Sequence, residues 1–242
     1  PSAITRRGRY DFPTLKQPAV ASKGMVTANH PMASLAGTEI LVAGGNAVDA
    51  AIATMFALTV VEPMMVTIFG AGFVNIRMAD GTAVVIDNYA TVPQAATPDL
   101  FDPIPPAHNH EVVDDVNAVG HRAVAVGGTL LGWATAVEKY GRLPLADVMA
   151  PAIRFARNGF RVSPYLNNII TLELDSMRRY PDTAKVFLKD NDPPGVGATI
   201  VREEYADTLE TIAKEGAAYL YHGPLGRAIA DDMAANDGLI TF

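Results

Sequence analysis

One apolar segment, residues 47–61, constrains the fold of this chain more than any other part of its sequence. Its side chains are apolar around nearly the whole helical circumference, so a helix here must be covered on both sides, as happens beneath a sheet. Asn46 is a favourable N-cap, and Glu62 precedes a proline that ends the helix. The segment is shorter than the ~20 residues of a membrane-spanning helix. It therefore predicts a buried helix and no membrane span.

The first half of the chain also contains a strong hairpin signal. Asp80-Gly81 lies between two β-branched runs, residues 72–78 and 82–87, a pattern typical of two antiparallel strands. Prolines crowd residues 93–106 and polar residues continue to 117, which predicts a long loop.

Helical periodicity dominates the second half. Residues 1–23 lack clear periodicity and are predicted to form an N-terminal arm, whereas residues 24–242 show no internal domain boundary. Besides the segment above, helices are predicted over residues 31–45, 129–140, 144–157, 163–177, 205–215 and 225–235.

Composition excludes several classes of function. The formal net charge of -7 argues against a nucleic-acid partner, because such proteins normally present a clustered basic surface. The chain has no cysteine, which excludes disulfides, thiolate nucleophiles and zinc-thiolate sites. It begins without a charged region followed by an apolar one, so a signal peptide is absent or already removed and the compartment stays undetermined.

Two local motifs suggest ligand binding but favour a structural interpretation. Gly70 and Gly72 begin a Gly-x-Gly pattern, yet Asn75 replaces the third glycine of a dinucleotide motif and a strand follows instead of a helix. A tight turn before a buried strand explains both glycines. His30 precedes a helix, where a capping hydrogen bond is a commoner role than that of a catalytic base.

Metal ligation is also weakly supported. His108 and His110, with Glu111, Asp114 and Asp115, include metal-ligand types but belong to the proline-rich loop, which lacks rigid support. No metal site is therefore predicted. The sequence contains neither Gly-x-Ser-x-Gly nor His-Glu-x-x-His, so it lacks the common hydrolase and zinc-protease signatures.

A family resemblance extends through residues 24–241 in one continuous order. Residues 24–51 resemble the opening of the large subunit of the gamma-glutamyltransferase (gamma-glutamyltranspeptidase) family. Val61-Glu62-Pro63 and the glycine-rich segment 69–73 are similar to the next family motifs. Further similar segments are residues 125–129, 140–144, 150–153, 156–160, 162–164, 223–225 and 235–241.

The resemblance implies an α+β fold, the four-layer αββα sandwich of N-terminal-nucleophile hydrolases. This chain would supply helices and part of the central sheets, and residues 24–242 would be the large-subunit portion of one domain. A precursor of this kind is a zymogen that cleaves itself, so that a threonine begins the small subunit. That threonine, with its own α-amine as base, attacks a small-molecule amide and forms an acyl-enzyme. The resemblance implies no cofactor.

The small subunit is therefore the expected partner, and no catalytic residue is expected in this chain. The resulting heterodimer could pair into a dimer of heterodimers. Large subunits of this kind normally continue beyond the segment that ends here at Phe242.

One position departs from the family pattern. Members acting on glutathione-like donors typically read Asp-Phe-Arg-Glu after the second strand, where the arginine binds the donor's α-carboxylate. This chain reads Asp87-Asn88-Tyr89-Ala90, so a neutral tyrosine occupies the arginine position. We therefore expect Asn88 and Tyr89 to bind substrate, with Gly70, Gly72 and Asp87 shaping the site, and we expect a substrate other than an ordinary γ-glutamyl donor. Acylase members, such as the cephalosporin acylase-like ones, are then better models.

Three alternatives stay open from the sequence. Asn88 and Tyr89 could simply finish a strand. The chain could be a true gamma-glutamyltransferase that uses another cation, such as Arg77. The chain could also be an inactive homologue that acts as a binding module. A second chain beginning with threonine would distinguish an active enzyme from that module.

Overall fold

The apolar segment forms the central helix of the structure. In the computed structural model, which describes residues 19–105 and 111–242, helix α2 covers Ala47–Val61 as predicted. Asn46 caps it in a reciprocal capping box with Asp49. Asp49 is fully buried and its Oδ2 also accepts a hydrogen bond of 2.9 Å from the Arg142 amide. The start of α2 is thereby tied to a connection about ninety residues later in the chain.

Small residues allow the preceding helix to lie close to α2. Helix α1 covers Pro31–Val42. His30 is its N-cap residue, and the His30 Nδ1 accepts a hydrogen bond from the Met32 amide at 3.2 Å. A Cβ on Gly37 would overlap the Thr54 hydroxyl and lie 2.8 Å from the Ala50 carbonyl oxygen. The predicted capping role of His30 is thus observed.

The predicted hairpin is present, with strands β1 (Phe73–Arg77) and β2 (Ala83–Asp87) in an antiparallel pair. Gly81 adopts a φ of 92° in the turn, and Asp80 accepts a hydrogen bond from the Thr82 amide. The register pairs Phe73 with Asp87 and Arg77 with Ala83. One face of this sheet packs on the helices through Ile76 and its neighbours, whereas the other face is exposed.

The second half is helical and packs around α2. Arg202 connects this half to α2: its guanidinium donates to the Thr59 carbonyl oxygen at 2.7 Å and lies 4.1 Å from the Tyr205 ring centroid. Burial lowers the pKa of Arg202 and raises that of Tyr205. The helices are α3 (Thr129–Tyr140), α4 (Leu145–Asn158), α5 (Pro164–Leu172), α6 (Leu174–Arg178), α7 (Pro181–Phe187), α8 (Glu203–Glu215), α9 (Ala218–Tyr221) and α10 (Pro224–Ala235).

Two sequence predictions in this region need correction. The single helix expected over residues 163–177 is broken at Glu173 into α5 and α6. Strands β3 (Phe160–Arg161) and β4 (Thr199–Ile200), together with the short helices α7 and α9, were not predicted, because two-residue strands and helices of four to seven residues leave no clear periodic signal.

The described residues therefore form an α+β arrangement of helices with two small two-stranded sheets. Residues 93–105 and 111–117 contain only bridges, turns and one 3₁₀ turn, in agreement with the predicted loop. Most of the expected N-terminal arm, residues 1–18, lies outside the described residues. Among the described helices, none combines the length and apolarity that crossing a membrane requires.

Candidate functional site

The start of α3 is built against the loop that precedes β1. No side chain caps α3, so its first amide groups need other acceptors. The Thr129 amide donates to the Gly70 carbonyl oxygen at 3.3 Å, and the Leu130 amide donates to that of Ile68 at 3.1 Å. A Cβ on Gly127 would overlap the Phe69 carbonyl group, so this approach requires glycine. The loop and the helix N-terminus are consequently one unit.

Tyr221 supports this unit from the opposite side. Its hydroxyl donates to the Gly127 carbonyl oxygen at 2.9 Å and accepts from the Leu131 amide at 3.4 Å. Burial raises the pKa of the Tyr221 hydroxyl, so the group stays protonated and can donate at neutral pH.

The end of β2 brings the predicted site residues to the same place. The Asn88 amide donates to the Gly72 carbonyl oxygen at 3.1 Å and continues the hairpin ladder by one residue. The Tyr89 amide then donates to Asp87 Oδ1 at 3.0 Å, which turns the chain away from the strand. Asp87 therefore shapes the turn by a hydrogen bond to the backbone.

Asn88 is the polar side chain buried at this point, with 5% of its surface exposed. Its Oδ1 has no hydrogen-bond partner among the described residues. A Cβ on Gly132 would overlap the Asn88 Cβ, so α3 can lie against this side chain only through a glycine. A buried acceptor without a donor is costly, which marks Asn88 as a position suited to an N–H or O–H group from outside the described residues.

A small cavity of about 140 Å³ adjoins these groups. Of the residues that the sequence singles out, Gly70, Gly72 and Asn88 line it, whereas Tyr89 and Asp87 are not among its lining residues. Sequence reasoning missed the other lining residues, including Met55, Met65, Phe73, Thr129 and Trp133. The Gly127-Gly128-Thr129 motif was the available signal, because two glycines before a helix permit close approach of another segment.

Tyr89 forms a neutral aromatic pair with Phe73, which lines this cavity. Its ring stacks on Phe73 with centroids 5.6 Å apart and an interplanar angle of 28°, and 61% of its surface is exposed. Arg77 is at the other end of β1, four residues from Phe73, which corresponds to about 13 Å along a strand. The hairpin register thus separates Arg77 from the position that Tyr89 occupies.

The glycine and histidine motifs of the sequence do not form a nucleotide or metal site within the described parts of the chain. The Gly70-x-Gly72 segment leads into β1, in line with the turn that the sequence predicts. His108 and His110 lie outside the described residues. Among residues 19–105 and 111–242, no three His, Asp or Glu side chains are grouped closely enough to hold a metal ion.

Comparisons with known proteins agree with this architecture. The acylase ACY 1 proenzyme of Pseudomonas sp. (strain V22) is 50% identical over 232 residues, which are 95% of this chain and 42% of that protein. The chain thus spans less than half the length of this relative.

Two solved structures are also similar to this chain over most of its length. Helicobacter pylori gamma-glutamyltranspeptidase is 33% identical with a TM-score of 0.86, over 93% of this chain and 64% of that one. The cephalosporin acylase of Bacillus halodurans is 30% identical with a TM-score of 0.74, over 95% of this chain and 44% of that one.

The family model described as gamma-glutamyltranspeptidase matches residues 33–242. This match includes every element from α2 to α10 and all the residues of the cavity described above. The chain therefore belongs to the gamma-glutamyltranspeptidase family.

Proposed function

We propose that this chain is the large chain of an autoprocessed amide hydrolase or acyl transferase whose donor is not an ordinary γ-glutamyl compound. The nucleophile would be the N-terminal threonine of a second chain from the same precursor. Its hydroxyl would attack the amide carbonyl while its α-amine takes the proton. That proton would then pass to the leaving amine as the amide C–N bond breaks, which leaves an acyl-enzyme. Water or another amine would then release the acyl group.

The exposed face of the hairpin supports a heterodimer of this kind. Phe73, Val85 and Tyr89 are each at least 60% exposed at one side of the sheet, whereas the opposite face packs on helices. The same face also carries Asn75, Arg77 and Asp87, so its apolar part is the patch of Phe73, Val85 and Tyr89. A two-stranded sheet with such a patch open to solvent is poorly stabilised alone, and a second sheet would cover it. The full αββα sandwich would then consist of this helix and sheet pair with a matching pair beyond it.

The single observation that carries the substrate proposal is the neutral Tyr89–Phe73 pair beside the cavity. A γ-glutamyl donor carries an α-carboxylate that a guanidinium would bind through two charge-assisted hydrogen bonds. Tyrosine offers one neutral hydrogen bond and an aromatic face. The higher identity to the acylase, 50% against 33% for the transpeptidase structure, supports the same conclusion.

Asn88 adds a buried hydrogen-bond acceptor for the acyl group. Its buried Oδ1, without a partner in the described residues, can accept a hydrogen bond from a donor group on the acyl chain. We propose that Asn88 and Tyr89 bind the acyl group, while Gly70, Gly72 and Asp87 keep the loop and turn in place. A cavity of about 140 Å³ fits a short acyl chain of a few heavy atoms.

The test compares γ-glutamyl p-nitroanilide with 4-aminobutyryl p-nitroanilide, a butyryl compound that keeps the amino donor and lacks only the α-carboxylate, on the purified two-chain enzyme. We expect the wild type to prefer the butyryl compound in kcat/KM. Tyr89→Arg should shift the ratio toward the γ-glutamyl compound by about 10- to 100-fold, the value of a charge-assisted hydrogen bond. Tyr89→Phe is the matched control and should leave the ratio nearly unchanged, because it keeps the ring.

Two other outcomes would support the competing interpretations. A strong preference of the wild type for the γ-glutamyl compound would support a true gamma-glutamyltranspeptidase, as the likeness to the Helicobacter pylori enzyme would suggest. Mass spectrometry that finds no second chain beginning with threonine would instead support a binding module without activity.

A further inference from the structure

The carboxylate of Glu62 is buried with few partners. Glu62 is the C-cap residue of α2, and only 3% of its surface is exposed. Its two carboxylate oxygens accept from a single nitrogen, Asn29 Nδ2, at 3.1 and 2.9 Å. A carboxylate has room for about four hydrogen bonds, so the described residues leave most of its acceptor capacity unused.

No cation in the described residues neutralises this charge. The ion pairs there do not include Glu62. Arg202 uses its guanidinium on the Thr59 carbonyl oxygen, and Arg161 donates to that of Gly197. His30 is nearby, but burial lowers its pKa and its Nδ1 accepts from the Met32 amide, so its ring is neutral at pH 7.

The position itself makes an unpaired carboxylate unfavourable. Glu62 lies at the C-terminus of a 15-residue helix, where the helix dipole places partial negative charge. Burial adds a desolvation penalty, which a buried ion offsets only when an opposite charge lies beside it. The site therefore has the electrostatic character of one half of an ion pair.

A groove of about 1060 Å³ leads to this carboxylate. Arg161 is one of its lining residues, with its guanidinium donating to the Gly197 carbonyl oxygen. Most of the wall is apolar and includes Leu58, Val66, Met65 and Tyr165. The last two are 60% and 42% exposed, so the groove combines an apolar rim with a buried negative charge. A lysine or arginine side chain has the matching form, because its apolar stem can cover such walls while its head reaches the carboxylate.

We propose that a basic segment of the second chain occupies this groove and pairs a lysine or arginine with Glu62. The inference rests on the proposed function, since it requires a second chain. A protein segment fits better than a single small molecule, because the volume is at the upper limit of ligand pockets and far exceeds one side chain. The matched acylase proenzyme has more than half its length outside the aligned region, which is ample for such a segment.

The groove also adjoins the candidate acyl site. Met65 and Val66 line both the groove and the small cavity beside Asn88. A segment bound in the groove would hold these two residues in place. Docking of the second chain would thereby complete one wall of the acyl site.

The experiment titrates the processed heterodimer with urea and measures release of the second chain. Native mass spectrometry detects the released and the bound chain. Glu62→Gln keeps the Asn29 contact but removes the charge, which leaves the partner cation buried and unpaired. We expect the dissociation constant of the two chains to rise about 30-fold or more. Glu39→Gln is the matched control, because Glu39 pairs with Arg154 on the surface and should have little effect.

A second pair of variants tests the groove without altering Glu62. Tyr165→Ser removes an exposed ring from the wall and should also weaken the assembly. Tyr165→Phe keeps the ring and should assemble like the wild type. This pair keeps the proposal testable if Glu62→Gln does not accumulate. Release of the second chain at the wild-type urea concentration from both Glu62→Gln and Tyr165→Ser would overturn the proposal.

Other results separate the two proposals. Variants that change only the KM for an amine acceptor, or only the association of two heterodimers, would assign the groove another occupant and overturn the inference. Absence of a second chain from the wild-type enzyme would contradict the proposed function itself.

Discussion

His30 links the start of α1 to the acid stability of the protein. Its Nδ1 must be unprotonated to accept from the Met32 amide at 3.2 Å. Burial lowers its pKa from the ordinary value near 6.5, and the negative charge of Glu62 opposes this effect only in part. The unfolded chain consequently binds the proton more tightly than the folded chain. Stability from this group is complete above about pH 6.5 and is lost as the pH falls through the lower folded pKa.

Replacement of His30 by asparagine should remove this dependence. Asparagine is a strong N-cap and does not titrate, so His30→Asn keeps the cap in acid. We expect the wild type to lose more free energy of unfolding than the variant between pH 7 and pH 5, as measured by urea denaturation. Equal losses in the two proteins would contradict the capping role of unprotonated His30. Urea denaturation above pH 7.5 gives the difference in free energy of unfolding between the two caps when His30 is neutral.

Glycines determine how closely α3 approaches the end of β2. Gly128 lies where a Cβ would be 2.9 Å from the Asn88 carbonyl oxygen, and Gly132 lies directly against the Asn88 side chain. Contact at these distances excludes any larger residue without movement of the helix or strand. The position of Asn88 in the cavity therefore depends on α3 as a whole element.

Gly132→Ala should move α3 away from Asn88. We expect a loss of about 1 to 3 kcal/mol in the free energy of unfolding, typical of overpacking in a core, together with reduced turnover of the acyl anilide. Gly195→Ala is the matched control, since a Cβ there meets no atom within 4 Å and should change stability by less than about 0.5 kcal/mol. Wild-type stability and turnover in Gly132→Ala would contradict the close packing.

At the scale of the whole molecule, the open face of the hairpin is the surface that we propose the second chain covers. Val85 is 61% exposed on β2, opposite Asn75 in the register. A charge on this face would be buried without a partner if a second sheet covers it, and that burial is costly. The same charge on an ordinary surface would have little effect.

Val85→Glu should therefore reduce the yield of two-chain enzyme strongly. Val196→Glu introduces the same change at another exposed valine, in a loop before Gly197, and should assemble normally. Size-exclusion chromatography of the co-purified chains measures both. Normal assembly of Val85→Glu would show that this face stays open and would argue against the sandwich.

Local features of the sequence predicted much of the fold. Helix α2 and the hairpin follow from strong signals, a capped apolar run and an Asp-Gly turn between β-branched segments. The break at Glu173 and the short β3–β4 ribbon were missed, because contacts between distant segments decide them. The candidate site was predicted in part: Gly70, Gly72 and Asn88 were identified, whereas Thr129 and Trp133 were not.

The sequence by itself determined the family, the buried central helix, and the neutral residue at position 89, since each depends on residue identity and order along the chain. Only the tertiary structure decided which residues share the cavity, that Arg77 is remote from Tyr89, and that the Asn88 oxygen lacks a partner in the described residues. The absence of an ion pair to buried Glu62 from the described part of the chain belongs to the same group of findings. The physical reason is that burial, hydrogen-bond satisfaction and charge pairing depend on segments far apart in the chain, which no local pattern specifies.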